Sequence, residues 1–132
     1  MLLGSKKNNE YSGLQSLRKL TDKELEIISS HFHIRSYAED ESIYKINTPA
    51  LVVYILIEGE VALSDENEKK ISISKGQFFG NLALNDQNER PYSARAISNS
   101  IVAGIFHKDF YNLFDKYQSI KDKIIDELII VK

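Results

Sequence analysis

Phe78-Phe79-Gly80-Asn81-Leu82-Ala83-Leu84-Asn85-Asp86-Gln87-Asn88-Glu89-Arg90-Pro91-Tyr92-Ser93-Ala94-Arg95-Ala96 is the stretch around which the chain is organised. Nowhere else do a glycine, a short apolar run and an arginine stand so close together. Gly80 suits a backbone that must turn left-handed or approach another group closely. Leu82-Ala83-Leu84 reads as a short helical turn whose first N–H groups lack intrahelical partners, and such a turn is a ready place for a phosphate. Arg90 adds a fixed charge with forked donors that suit phosphate oxygens. The stretch therefore reads as an anion-binding cassette.

Outward from it, the pattern between Arg35 and His107 is one of short β-rich runs separated by turn signals. The spacing predicts strands at Arg35 to Tyr37, Ser42 to Lys45, Val52 to Ile57, Glu60 to Ser64, Lys70 to Ile73, Tyr92 to Ile97 and Ile101 to Phe106. Asn47-Thr48-Pro49, Glu58-Gly59, Asp65-Glu66-Asn67-Glu68, Lys75-Gly76 and Ser98-Asn99 supply the breaks. Many short, evenly spaced strands point to a sandwich or barrel.

Phe79 to Ala96 resembles the phosphate-binding cassette of cyclic nucleotide-binding domains, the family of the bacterial catabolite activator and the regulatory subunits of cAMP-dependent protein kinase. The pattern there is Phe-Gly-Glu, an apolar residue, Ala, Leu, an insert, then Arg and a small residue; Phe79, Gly80, Leu82, Ala83, Leu84, Arg90 and Ala94-Arg95-Ala96 keep it. Ile43 to Ala50 and Tyr54 to Val61 are similar to the family's preceding strands and glycine hairpin. Asn47 and Asp40 stand at common glycine positions, and asparagine is a residue that tolerates the left-handed region. The resemblance implies a mainly β fold with flanking helices: an antiparallel β-roll, jelly-roll-like and cupin-like as a double-stranded barrel, with helices at both ends.

Helical spacing frames this region. Residues 1–13 are polar, without apolar period, and read as a flexible leader; residues 14–132 form the domain, with helices over 14–33, the β-roll over 35–107 and C-terminal helices over 109–131. Leu14, Leu17 and Leu20 step by threes, and Thr21 with Glu24 makes a capping box for a helix whose Leu25, Ile28 and Phe32 share a face. Covering a core edge is the commoner use of such a face; docking on a membrane or a partner is the alternative. Phe110, Leu113, Phe114 and Tyr117 form a later apolar face. Ser119 is expected to open a last helix, with Asp122 at its third position, in which Ile120, Ile124, Leu128 and Ile129 align.

At 132 residues the chain suits one domain, and 42% apolar with 27% charged residues is ordinary globular composition. A net charge of -2 offers no broad attraction for nucleic acid. The chain has no cysteine, which excludes disulfides and thiolate sites. With no apolar stretch of signal-peptide or membrane-span length, a cytoplasmic location is expected. No helix-turn-helix, kinase, cyclase or channel segment is recognisable, so a sensed signal is expected to pass by association with a separate effector or a second copy, without a DNA-binding domain or a membrane.

The resemblance assigns Phe79, Gly80, Asn81, Leu82, Ala83, Arg90, Pro91, Tyr92 and Ser93 to a cyclic nucleotide site, for cAMP or cGMP. Gly80 and the following N–H groups would hold the cyclic phosphate and Arg90 would neutralise it; the alternative for Arg90 is a surface pairing with Glu89. Ser93 lies close to where relatives place a threonine that helps select the purine. Asn81 departs from a glutamate that accepts from the ribose 2′-hydroxyl, and lacks its charge. Pro91 departs from a small residue whose N–H faces the phosphate; it has no N–H and extends the backbone at Arg90. Tyr92 either stacks on a purine or fills the pocket.

Other constellations are discounted. His31 and His33 lack a third ligand nearby, and the acidic Asp65 to Glu68 loop lacks the glycine and spaced glutamate of a calcium loop. His107 is the only histidine of the late strands, too few for a cupin metal centre. No Gly-x-Ser-x-Gly elbow, Walker loop or dinucleotide fingerprint is present, so neither an enzyme nor a cofactor is expected. Two functions remain: a cyclic nucleotide sensor that signals through the C-terminal helices, or a degenerate copy of the fold serving protein contacts or dimerisation without ligand. The apolar ending Ile124 to Val131, which would leave Ile125 or Ile130 exposed, motivates the second.

Overall fold

A computed structural model describes residues 11–80 and 89–129. Eight strands alternate with turns: β1 (His33–Tyr37), β2 (Ser42–Tyr44), β3 (Val52–Glu58), β4 (Val61–Ser64), β5 (Lys70–Ile73), β6 (Phe78–Phe79), β7 (Ser93–Ala96) and β8 (Ser100–Phe106). They pair into two antiparallel four-stranded sheets, ordered β1-β8-β3-β6 and β2-β7-β4-β5. This is the expected β-roll. Six of the seven strands read from sequence agree to within one residue at each end, and β1 starts two residues earlier than expected, at His33.

Two apolar layers explain the sequence pattern. Leu56, Val102, Tyr37 and Phe79 of the first sheet meet Val61, Leu63, Ile73, Ala94 and Ala96 of the second, forming the interior between the sheets. The other face of the first sheet, with Val53, Ile55, Ile57, Ala103 and Ile105, packs beneath the helices. Strands β3 and β8 are thus buried on both faces and read as continuous apolar runs, whereas β4 alternates. Strand β6 has only two residues, Phe78 facing the helices and Phe79 facing the second sheet. A pair so short shows no period, and it was not among the strands expected.

Among the described residues the helices are a single 3₁₀ turn (Gln15–Leu17), α1 (Asp22–Ser29), α2 (His107–Lys116) and α3 (Gln118–Ile129). Helix α1 starts at the expected capping box: Glu24 N–H donates to Thr21 Oγ1 at 3.1 Å and Thr21 N–H to Glu24 Oε1 at 2.9 Å. Phe110, Leu113 and Phe114 of α2 are buried, as are Ile120, Ile124 and Leu128 of α3. Ile125 is only partly buried, against the same core; Ile130 and Val131 lie outside the described residues.

Two expectations are corrected here. Read from sequence, Tyr11 belongs to the leader; the structure buries it, with its ring edge-on to Phe32 at 5.0 Å. One aromatic in a polar run carries no periodicity, so its partner could not be inferred. Residues 1–10 lie outside the described residues. Ser119 is not the cap of the last helix, which already includes Gln118. Its hydroxyl donates instead to Glu24 Oε2 at 2.5 Å, and Lys123 Nζ reaches Glu24 Oε1 at 2.5 Å. Burial pushes the Glu24 carboxyl up, but the bonds from Lys123, Ser119 and Thr21 outweigh it and hold it near 2. A carboxylate of α1 thereby ties α3 to the N-terminal end of the domain.

Turn chemistry follows the residues. Asp40 and Asn47 both adopt positive φ, 74° and 67°, as expected of substitutes for glycine. At the β4–β5 tip, Asp65 Oδ1 accepts from Asn67 N–H and Lys69 N–H, each at 2.9 Å, so the acidic loop is a self-bonded hairpin.

Candidate functional site

Gly80 follows β6 with φ of +70°, a conformation in which a side chain is strained. Ten residues on, Arg90 returns to the same place, because Glu89 pairs with Pro49, Arg90 N–H donates to Thr48 O at 2.9 Å and Asn47 N–H donates to Arg90 O at 2.7 Å. The Asn47-Thr48-Pro49 turn therefore clamps the backbone of the arginine. Its side chain points inward and is only 3% exposed.

The guanidinium Nη1 donates to Gly80 O at 2.8 Å and Nη2 to Val52 O at 2.6 Å. Its carbon lies 4.1 Å from the ring centroid of Tyr44 and 5.7 Å from that of Tyr54. Those rings stack with each other at 5.7 Å, and Phe79 stacks on Tyr54 at 5.3 Å. A Cβ at Gly80 would stand 2.7 Å from Nη1, so a side chain there would displace the guanidinium as well as strain φ. Nε is buried with no acceptor. Among the described residues the ion pair is Lys123 with Glu24, and no carboxylate reaches Arg90.

A buried cation without a carboxylate is costly, and carbonyls and ring faces offset only part of that cost. Burial lowers the Arg90 pKa from its ordinary value while Tyr44 and Tyr54 act the other way. Both phenols are pushed up, chiefly by burial, and stay neutral at neutral pH. What remains is a fixed positive charge, with a spare N–H, beside a left-handed glycine. Chemically, that is a place for an anion.

Of the residues expected at the site, Phe79, Gly80 and Arg90 are brought together. Phe79 is fully buried in the interior and bears on the arginine through Tyr54 and Tyr44. Pro91 is exposed and Tyr92 is half-buried against the interior between the sheets. Ser93 Oγ accepts from Ile46 N–H at 2.9 Å, so this hydroxyl also closes the irregular β2–β7 pairing. Asn81, Leu82 and Ala83 lie outside the described residues. The surface pairing of Arg90 with Glu89 does not occur: Glu89 is exposed and Arg90 is buried.

Tyr44, Tyr54 and the Val52 carbonyl were not expected at the site. Their contacts cross from strand to strand, beyond the reach of periodicity. One signal was present in Gly104, a glycine inside an apolar strand, which marks a close approach. It pairs with Tyr54, and a Cβ there would stand 2.9 Å from Val52 Cγ1 and 3.5 Å from the Tyr54 ring. Two of the histidines serve packing and bonding: His33 lies edge-on to Phe106, and His107 Nδ1 is 3.0 Å from Leu51 O. No group of three metal-ligating residues stands together among the described residues.

Comparison with known proteins accords with the fold. The family model described as the cyclic nucleotide-binding domain matches residues 34–117, from β1 through the arginine to the end of α2. The chain belongs to the cyclic nucleotide-binding domain family. It is 35% identical over 86 residues to the cAMP-dependent protein kinase regulatory subunit of Hypocrea atroviridis, covering 65% of this chain and 18% of that protein. It is 33% identical over 98 residues to the cAMP-activated global transcriptional regulator CRP of Pasteurella multocida, covering 70% of this chain and 47% of that one. The chain thus spans less than half the length of these relatives. In fold it is similar to the Thermus thermophilus catabolite activator protein, with a TM-score of 0.73, 21% identity and coverage of 86% of this chain and 55% of that. No described helix is long and apolar enough to cross a membrane.

Proposed function

We propose that this chain is a regulatory module that binds cAMP or cGMP at the Gly80–Arg90 site and signals through α2 and α3 to a separate partner, as a cytoplasmic protein without catalytic activity. The observation that carries this reading is Arg90: a guanidinium 3% exposed, with no carboxylate among the described residues and Nε left without an acceptor. An anionic phosphate supplies what that cation lacks. A charge-assisted hydrogen bond contributes roughly 1.5 to 3 kcal/mol, or about one to two decades in affinity. The nine residues named from sequence, Phe79 to Ala83 and Arg90 to Ser93, are proposed as the binding set.

The route to α2 and α3 is a proposal of the same kind. Phe78 of β6 packs edge-on to Phe110 of α2 at 6.2 Å, so the strand that delivers Gly80 also touches the helices. A ligand shifts such a packing only by its differential affinity for two arrangements. Calorimetric titration of protein stripped of carried-over ligand tests the reading. Binding of either nucleotide that disappears in Arg90→Ala supports it, and an Arg90→Ala protein that binds as well as the wild type refutes it.

A second reading, a fold kept for protein contacts without ligand, draws on the same arginine. Two of its nitrogens already bond to the Gly80 and Val52 carbonyls, and an anion must compete with them. Absence of heat with both nucleotides, from folded protein, favours that reading.

A further inference from the structure

Arg90 does not hold itself in place. Its backbone is clamped by Thr48 and Asn47, but the guanidinium sits at the end of a flexible stem whose rotamer freedom is large. Two carbonyls fix two of its nitrogens, and neither restrains the guanidinium against tilting out of its plane. What lies across that plane is the ring of Tyr44, 4.1 Å from the guanidinium carbon, whereas Tyr54 is farther off at 5.7 Å. The Tyr44 ring is itself braced by Tyr54 and Phe79 at 5.7 and 6.3 Å. Tyr44 belongs to β2 of the second sheet and Tyr54 to β3 of the first. The guanidinium therefore rests on aromatic groups contributed by both sheets.

We propose that Tyr44 is the positioning residue of the anion site: its ring face holds the Arg90 guanidinium with the buried Nε left without a protein acceptor, as the donor that a cyclic phosphate would take up. The proposal rests on the reading of Arg90 as the phosphate contact and adds a residue to it. An aromatic face suits this duty because it attracts the cation without consuming an N–H, where a carboxylate would neutralise the charge and occupy its donors. The phenol oxygen has no part in it. A phenylalanine therefore replaces the tyrosine, and an aliphatic side chain of similar size does not.

The test has two independent arms. Calorimetry with cAMP and cGMP is run on wild type, Tyr44→Phe and Tyr44→Leu, each checked for fold by circular dichroism. Tyr44→Phe is expected to bind within about twofold of wild type and Tyr44→Leu about tenfold more weakly, the range of a desolvated cation over a ring face. Side-chain NMR of the unliganded protein follows the Arg90 Nε–H resonance, assigned by its loss in Arg90→Lys. A ring-current shift is expected in wild type, retained in Tyr44→Phe and strongly reduced in Tyr44→Leu, where the more distant Tyr54 ring remains.

A folded Tyr44→Leu protein that binds like wild type overturns the proposal while leaving Arg90 as the phosphate contact. If neither nucleotide binds wild type, the reading of the site fails, and the resonance alone decides whether Tyr44 positions the arginine. If Tyr44→Leu does not fold, the wild-type resonance decides: an Nε–H without ring-current shift overturns the proposal.

Discussion

The two faces of the first sheet are stabilised in different ways. Beneath the helices, Leu17, Leu25, Ile28, Phe78, Phe110, Ile120 and Ile124 make an apolar layer with no ionic group among its buried residues. On the face toward the second sheet, the same sheet carries Tyr54, backed by Phe79, and Tyr54 with Tyr44 lies against a buried arginine. The first layer follows transfer energetics, where each buried methylene adds to stability. The second keeps a charge out of water against two carbonyls and ring faces, a choice that stability alone does not favour. That difference separates the part of the molecule that folds it from the part proposed to bind.

The largest effect should come from breaking the helix-side layer. Leu25→Ala, on α1 and outside the proposed Phe78–Phe110 route, is expected to lower stability by about 2 to 5 kcal/mol in denaturant unfolding. Nucleotide affinity of the fraction that remains folded should be unchanged, and a parallel loss of affinity would mean that the two layers are not separable.

Arg90→Met breaks the other layer in the opposite sense. Replacing a buried charge with an apolar side chain of similar volume should leave stability unchanged or raise it by about 1 kcal/mol. Affinity should fall by about one to two decades. A destabilisation of several kcal/mol would show that the arginine is a structural strut.

A smaller effect is expected at Glu24, the charged link on the helix side. Its carboxyl is held near 2, below the ordinary 4.5, so its stabilisation is complete above about pH 4.5 and is lost as pH falls toward 2. Glu24→Gln should cost about 1 kcal/mol at neutral pH, allowing for solvent screening, and should flatten the acid side of the stability profile. Equal acid slopes in both proteins would assign the effect to other carboxylates. Smallest of all, Asp40→Gly should raise the melting temperature slightly, by at most about 1 kcal/mol of stability, since Asp40 sits at φ 74°. A lowered melting temperature would show that its side chain matters more than its backbone.

The same contrast separates what the sequence made legible from what it did not. Helix-side packing is periodic, so Leu25, Ile28, Phe110, Leu113, Ile120 and Ile124 could be placed on faces before any coordinates, and the Thr21 capping box is local. Turn residues marked nearly every strand boundary. Strand β6 escaped because two residues cannot show alternation, and Tyr11 because a lone aromatic names no partner. The bond from Ser119 to Glu24 spans 95 residues, and no local rule reaches so far. At the site, Gly80 and Arg90 were legible through the cassette spacing, but the burial of Arg90 was not, and neither was the ring of Tyr44 across it. Those depend on the register of β2 against β7 and of β3 against β6 and β8, which side-chain types alone do not encode.

The most direct test is a calorimetric titration of cAMP, then cGMP, into wild type and Arg90→Met, both unfolded and refolded to remove carried-over ligand. Micromolar or tighter binding in wild type, weakened by about one to two decades in an Arg90→Met protein of undiminished stability, is the predicted result. Equal binding by the two proteins, or no heat with either nucleotide from folded wild type, would contradict it.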